Sequence, residues 1–218
     1  MKYFLSAFIL LSIYSCEQKQ TNSKIFSQDS VTNLKVNQAN EYLITDTSFG
    51  KINKATTYND LEKIFGKNNI QDTITYGAEG MDSFVVTKIF SNTAKEIIVN
   101  WQTDKFHNAI ATVDCYRENS LYHTSDSLKI GSTLEKLVQA NGKKINFYGT
   151  GWDYGGLITS YNDGKFQKAK TFFSLTSAPG ASKKIMGERE LNTDLPLVKE
   201  NLKKLYISKI SLSLHNKK

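Results

Sequence analysis

Little in this chain of 218 residues points to a particular chemistry. There are two prolines, two cysteines and three histidines. His107, His123 and His215 stand far apart, with no His-Glu-x-x-His run and no cysteine pair, so no familiar metal-ligand spacing is present. A cluster of His107 and His123 with Asp104, Asp114 or Asp126 would have to be made by the fold alone. No Gly-x-Ser-x-Gly occurs, and the glycines do not follow Gly-x-Gly-x-x-Gly ahead of a helix, so neither a nucleophile elbow nor a dinucleotide fingerprint is available. The formal net charge is +7, but the lysines are scattered and no run reaches five like charges, which argues against a nucleic-acid-binding arm. No apolar run approaches the ~20 residues needed to span a bilayer. No cofactor is expected, and paired acids for glycoside hydrolysis are not singled out.

What is present begins at the amino terminus. Lys2 is followed by an apolar run from Tyr3 to Tyr14, broken only by Ser6 and Ser12, and the run stops at Ile13-Tyr14-Ser15-Cys16. That is the length of a signal-peptide core. An aliphatic residue three before a cysteine and a small residue just before it resembles the bacterial lipobox, with Tyr14 departing from the pattern where a small residue is usual. The resemblance implies cleavage before Cys16 and a lipid on its thiol. It also implies a place in the cell envelope, at the outer membrane of a Gram-negative bacterium. An ordinary secretory signal cut near Ser15 and an uncleaved anchor are the alternatives. With Cys16 acylated, Cys115 would stand alone and the fold would have no disulfide. Two or three acyl chains hold a protein firmly to a membrane where one does not. Residues 16–49 then read as a lipidated tether, most clearly over 17–40, which is rich in Gln, Asn, Ser, Thr and Lys.

A weak internal repeat follows. Leu-Glu-Lys starts at Leu61 and again at Leu134, Gly-Lys follows each time, and Tyr-Gly starts at Tyr76 and at Tyr148. Residues 80–83, GMDS, parallel 151–154, GWDY. Each unit opens on a helix signal. Ser132 with Glu135 fits a capping box, and Thr57 with Asp60 is a looser version. Leu134, Leu137 and Val138, like Leu61, Ile64 and Phe65, fall at helical spacing. Strands are expected at 83–90, 95–102, 108–117, 155–162, 166–176 and 204–214, with Asp163-Gly164 as a hairpin turn and a further strand over 182–191. The fold class is therefore α+β, two tandem repeats of a short helical segment packed on an antiparallel sheet. The boundaries are 1–15 for the signal, 16–49 for the tether, 50–117 and 128–214 for the repeats, and 118–127 for a linker. Element order and repeat length resemble the tandem fold of the β-lactamase inhibitor protein and small lipoproteins of the barrel-assembly machinery. The resemblance brings no site motif with it.

The richest local composition is Tyr148–Gly156, YGTGWDYGG. Tyr148, Trp152 and Tyr154 could offer flat faces to a sugar, peptide or lipid, with Asp153 as an acceptor. The structural alternative, that the glycines form tight turns and Trp152 fills the core between helix and sheet, is the favoured expectation. Cys115, in an expected strand, reads as a buried inert thiol. The chain is thus expected to be a noncatalytic binding or assembly module, held at a membrane by its lipid, whose partner is another envelope protein or a cell-wall or surface polymer. An envelope hydrolase with a cryptic site, or an inhibitor of an extracellular enzyme, is the alternative.

Overall fold

Thr57 starts the first helix, and it does so as a complete capping box. Its hydroxyl accepts from the Asp60 amide while the Asp60 carboxylate accepts from the Thr57 amide, pairing amides that a helix start leaves orphaned. This helix, α1 (Tyr58–Phe65), buries Leu61 but turns Ile64 outward. The second, α2 (Leu134–Asn141), buries Leu134 and Leu137 and ends on Gly142 in the left-handed region. Its cap is Thr133, not Ser132, whose hydroxyl accepts from the Lys129 amide in the preceding turn. The computed structural model describes residues 41–77, 80–103 and 105–215. The expected signal peptide, Cys16 and the tether up to residue 40 lie outside the described residues.

Three two-residue strands come first, β1 (Leu43–Ile44), β2 (Ser48–Phe49) and β3 (Ile52–Asn53). After α1 follow β4 (Ile70–Tyr76), β5 (Ser83–Ile89), β6 (Ile97–Trp101), β7 (Ile110–Cys115) and β8 (His123–Thr124). After α2 come β9 (Asn146–Tyr148), β10 (Ile158–Ser160), β11 (Thr171–Ser177), β12 (Glu190–Asn192), the short α3 (Pro196–Lys199) and β13 (Leu205–Ser213). The fold is α+β. Its main sheet is antiparallel with order β11-β13-β7-β6-β5-β4, and β10-β9-β12 forms a second antiparallel sheet that touches β11 through a Leu157–Ser174 bridge. Outward from the β7–β13 seam, one side runs back to β4, the first strand after α1. The other runs through β11 and β10 to β9, the first strand after α2. Both halves feed one continuous hydrophobic core.

Alternation along the strands divides the sheet into two faces. Thr87, Val99, Val113, Leu212 and Thr171 lie side by side across five strands, all buried beneath the helices. One residue on, the row is Lys88, Ile98, Asp114, Ser211 and Phe172, on the face away from the core. Asp114 there is buried, with one carboxylate oxygen held by Lys209 at 2.9 Å and by the Asn100 amide at 3.1 Å.

Several boundaries are corrected. Residues 41–49 are not tether: Ile44 and Phe49 are core residues, and β1 pairs in parallel with β8. Residues 118–127 are not a loose linker either, because Tyr122 is buried with its ring 4.9 Å from that of Phe49 and 5.4 Å from that of Tyr42. The 155–176 region is not a simple hairpin. Asn162 and Asp163 both take positive φ in a turn closed by the Gly164 amide on the Tyr161 carbonyl, and a 3-10 turn, Lys165–Lys168, intervenes before β11. Gly164 itself has an ordinary extended backbone. A methyl there would lie 2.3 Å from the Asn141 amide, which leaves room only for glycine. Of the segment 182–191, only its end is strand, β12, preceded by a 3-10 turn at Lys183–Ile185.

Candidate functional site

Phe147 and Tyr148 end β9 with opposite outlooks. Phe147 is fully buried, so Tyr148 points away from the core and the chain enters its glycine-rich loop with an aromatic ring already half outside. The loop is braced on three sides. The Gly149 amide donates to Arg189, the Thr150 amide to Ile185, and the Gly187 amide back to Thr150, while the Thr150 hydroxyl donates to Ser177. The approach is close enough to dictate composition. A Cβ at Gly149 would fall 2.6 Å from the carbonyl oxygens of Ile185 and Gly187. One at Gly156, where φ is +76°, would fall inside the Leu175 carbonyl.

On this frame Trp152 is half-buried, and it is absent from the core. That corrects the expectation that it fills the space between helix and sheet. The indole folds back over its own loop instead, donating Nε1–H to the Gly149 carbonyl at 2.8 Å. Tyr148 and Tyr154 flank it edge-on, with ring centroids 5.8 Å and 5.4 Å away. Tyr154 is half exposed and Asp153 exposed beside it. Met186, also about half exposed, lies against Gly151. The structure thus brings together all four residues singled out in this stretch, as a contiguous aromatic surface with one carboxylate at its edge. Such a surface can stack on the flat face of a sugar ring or take an apolar side chain; edge-to-face packing and the indole hydrogen bond hold its shape beforehand. Asp82, matched to Asp153 in the expected repeat, sits between β4 and β5, its carbonyl accepting from the Gly77 amide.

A second constellation was not legible in the sequence, because its members are far apart in the chain. The Trp101 indole donates to the Thr87 hydroxyl (2.8 Å), which donates to one oxygen of Asp72 (2.7 Å). The other oxygen of Asp72 pairs with His107 Nε2 at 3.0 Å. The imidazole is sandwiched between Phe106 and Tyr58, with centroids 3.8 Å and 3.9 Å away. Partial burial, then the Asp72 and Glu62 carboxylates, push the Tyr58 phenol above its ordinary range. The arrangement locks the loop after β6 onto the sheet. His123 lies elsewhere, bonded through Nδ1 to its neighbour's carbonyl, so the two histidines do not converge. Asp104 lies outside the described residues, and among the described residues no three His, Cys, Asp or Glu side chains group as metal ligands.

Two other side-chain sets come to rest in structural roles. Ser48 and Lys51 have a Ser-x-x-Lys spacing, but the Ser48 hydroxyl pairs with Thr45 and Lys51 with Glu41. Cys115 is a free, buried thiol whose pKa burial pushes up to about 12, leaving it protonated and inert. Among the described residues no helix is long and apolar enough to cross a membrane.

No family model and no curated protein matches this chain. Among solved structures, the chain is similar to the uncharacterized protein yfeY from Escherichia coli, at 12% identity and a TM-score of 0.44 over 78% of this chain and 98% of that one.

Proposed function

We propose that this chain is a noncatalytic binding module of the cell envelope, tethered to a membrane by lipid on Cys16, and that it engages a cell-wall or surface polymer through Tyr148, Trp152 and Tyr154. The observation that carries the reading is the position of Trp152. A tryptophan drawn out of the core, pinned by its own indole hydrogen bond and flanked by two tyrosines on a braced loop, is organised as a contact surface. Asp153 supplies an acceptor for a hydroxyl at its rim. The frame beneath is read as two related α+β units fused at the β7–β13 seam. This is supported by Leu61 and Leu134 standing in α1 and α2, and by Tyr76 and Tyr148 closing the strands that follow them. A protein partner on the same surface is the second reading, favoured by Met186, an adaptable apolar side chain against Gly151 of the same loop.

Trp152→Ala decides between surface and core. For a core tryptophan the loss is about 3–5 kcal/mol. Half-buried and outside the core, this one should cost about 1–2 kcal/mol by the smaller area removed from water. Co-sedimentation with purified cell-wall and surface polysaccharide should lose most of its bound fraction in the variant, at a temperature where both proteins remain folded. A variant that binds polymer like wild type, or a wild type that binds none, rejects the polymer reading.

A further inference from the structure

The β4–β5 hairpin projects past the sheet it belongs to. β5 pairs with β6 only from Val86 to Ile89, so Ser83, Phe84 and Val85 have β4 alone as a neighbour. The large apolar side chains of this projection face solvent: Ile74 is 60% exposed, Tyr76 70% and Met81 83%, while Phe84 and Val85 are nearly half exposed. At roughly 200 Å² for a large side chain, these five leave about 600 Å² in water. They are divided between two faces: Ile74, Tyr76 and Val85 share one, which leaves about 350 Å² in water, within the range of a monomer's largest patch, and Phe84 lies on the other.

β4 is also an open edge. The Phe90 amide on the Asn69 carbonyl, and the Gly77 amide on the Asp82 carbonyl, mark the odd-numbered residues as those bonded to β5. Alternation therefore aims the backbone N–H and C=O groups of Asp72, Ile74 and Tyr76 outward. The one charge on the strand, Asp72, is engaged by Thr87 and His107. The strand sequence, IQDTITY, has no proline and no lysine, and its register against β5 is unbroken by any bulge.

We propose that this edge is occupied by β4 of a second copy of the chain, antiparallel about a two-fold axis at Ile74. A two-fold interface must be self-complementary, and this strand is. About Ile74, each Thr73 faces the other copy's Thr75 and each Asp72 faces its Tyr76. The side chains keep to their own faces, with Ile74 packed on Ile74. Charge agrees with the antiparallel sense. The tip of one hairpin, with Asp82 exposed, comes to lie beside the start of β4 in the other copy, where Lys67 and Lys63 are exposed. The pairing joins two six-stranded sheets into one and satisfies the open β4 edge of each copy with the other.

The full chain in detergent micelles at tens of micromolar should sediment at twice the chain mass. Ile74→Lys and Tyr76→Lys, both at exposed positions, should sediment as monomers with thermal midpoints near wild type. Ile74→Cys should be cross-linked to a dimer by a short bismaleimide, whereas Met81→Cys, with the two tips at opposite ends of the paired strands, should not. A wild type that is monomeric at this concentration overturns the proposal. So does a dimer that survives both lysine variants, or one in which Met81→Cys cross-links as well as Ile74→Cys. Should the lysine variants lower the midpoint, the cross-linking contrast alone decides. A monomeric wild type whose hairpin binds neutral phospholipid vesicles, or one strand of an unrelated protein, assigns the edge to that occupant and sinks the second copy.

Discussion

Asn141 and Gly164 offer a test in which one substitution should change sign with the other. Asn141 is buried at the end of α2. Its amide nitrogen donates to the Lys143 and Tyr161 carbonyls at 3.0 Å and 2.9 Å, and its oxygen accepts from the Phe166 amide at 3.2 Å. It therefore stitches the helix to the turn before β11. Asn141→Ala removes three hydrogen bonds worth about 1 kcal/mol each and leaves the buried Phe166 amide unpaired, so the loss should be about 3 kcal/mol. For a folded body of this size, that lowers the thermal midpoint by roughly 6–12 °C. Gly164→Ala meets Asn141 directly. The nearest atoms to the added methyl, at 2.3–2.4 Å, are Nδ2, Oδ1 and Cγ of Asn141. Forcing that contact should cost about 1–3 kcal/mol. With Asn141→Ala already present, those three atoms are gone. Gly164 has φ −77°, which alanine adopts without strain, so the same change should then stabilise by about 0.4–1 kcal/mol through the unfolded state. Thermal unfolding of the two single variants and the double variant measures the coupling. Costs that simply add, with Gly164→Ala destabilising equally in both backgrounds, would refute the assignment of glycine to the Asn141 contact.

Two further outcomes follow from other parts of the molecule. Mass spectrometry of the mature amino-terminal peptide should show an acylated Cys16, with Cys16→Ser left unprocessed or released; a free thiol or cleavage elsewhere rejects the anchor. Glu96 is buried, which opposes its ionisation. The Arg117 guanidinium, bonded to both of its oxygens, and the Asn92 amide outweigh that and hold its carboxyl below the ordinary range. Its stabilisation is therefore complete above the ordinary carboxylate pKa and is lost as pH falls through the lowered native value. Arg117→Ala strands the buried charge. The midpoint gap from wild type should be wide at neutral pH and close as the solution is acidified below the ordinary carboxylate range; a gap independent of pH would contradict the pairing.

How far the fold could be read from residues varies with how local the deciding contact is. The alternation of 204–214 announces β13 because each inward residue meets the same core. The helices are legible from Leu61, Leu134 and Leu137, but the cap of α2 is displaced by one because the Ser132 hydroxyl is used by a turn upstream. Ile64 keeps helical spacing and still faces solvent, since periodicity names a stripe and not its width. Residues 41–49 are polar enough to pass for tether, yet Phe49 finds its partner in Tyr122 and Ile44 pairs with Thr124, each more than seventy residues on. The aromatic loop was visible as composition; which way Trp152 turns was not, because it depends on Ile185–Gly187 closing over Gly149. The Asp72–His107 pair had no local signature at all.

The seam at the middle of the main sheet has a consequence for how the chain acquires its shape. β7 ends at Cys115 and its partner β13 begins at Leu205, so the central ladder waits for residues made about ninety positions later. Until they arrive, the meander β4 to β7 has a second open edge, and the core face of β7 lacks Ile210 and Leu212. A contact this distant in sequence is slow to close, since the loop entropy is spent before the pairing returns it. The nascent amino-terminal half is therefore a strip without a lid, and it stays pliable while the chain is still being made. On the proposed passage across a membrane before folding, that delay is an asset: β13, which locks the structure, comes through after every other described strand.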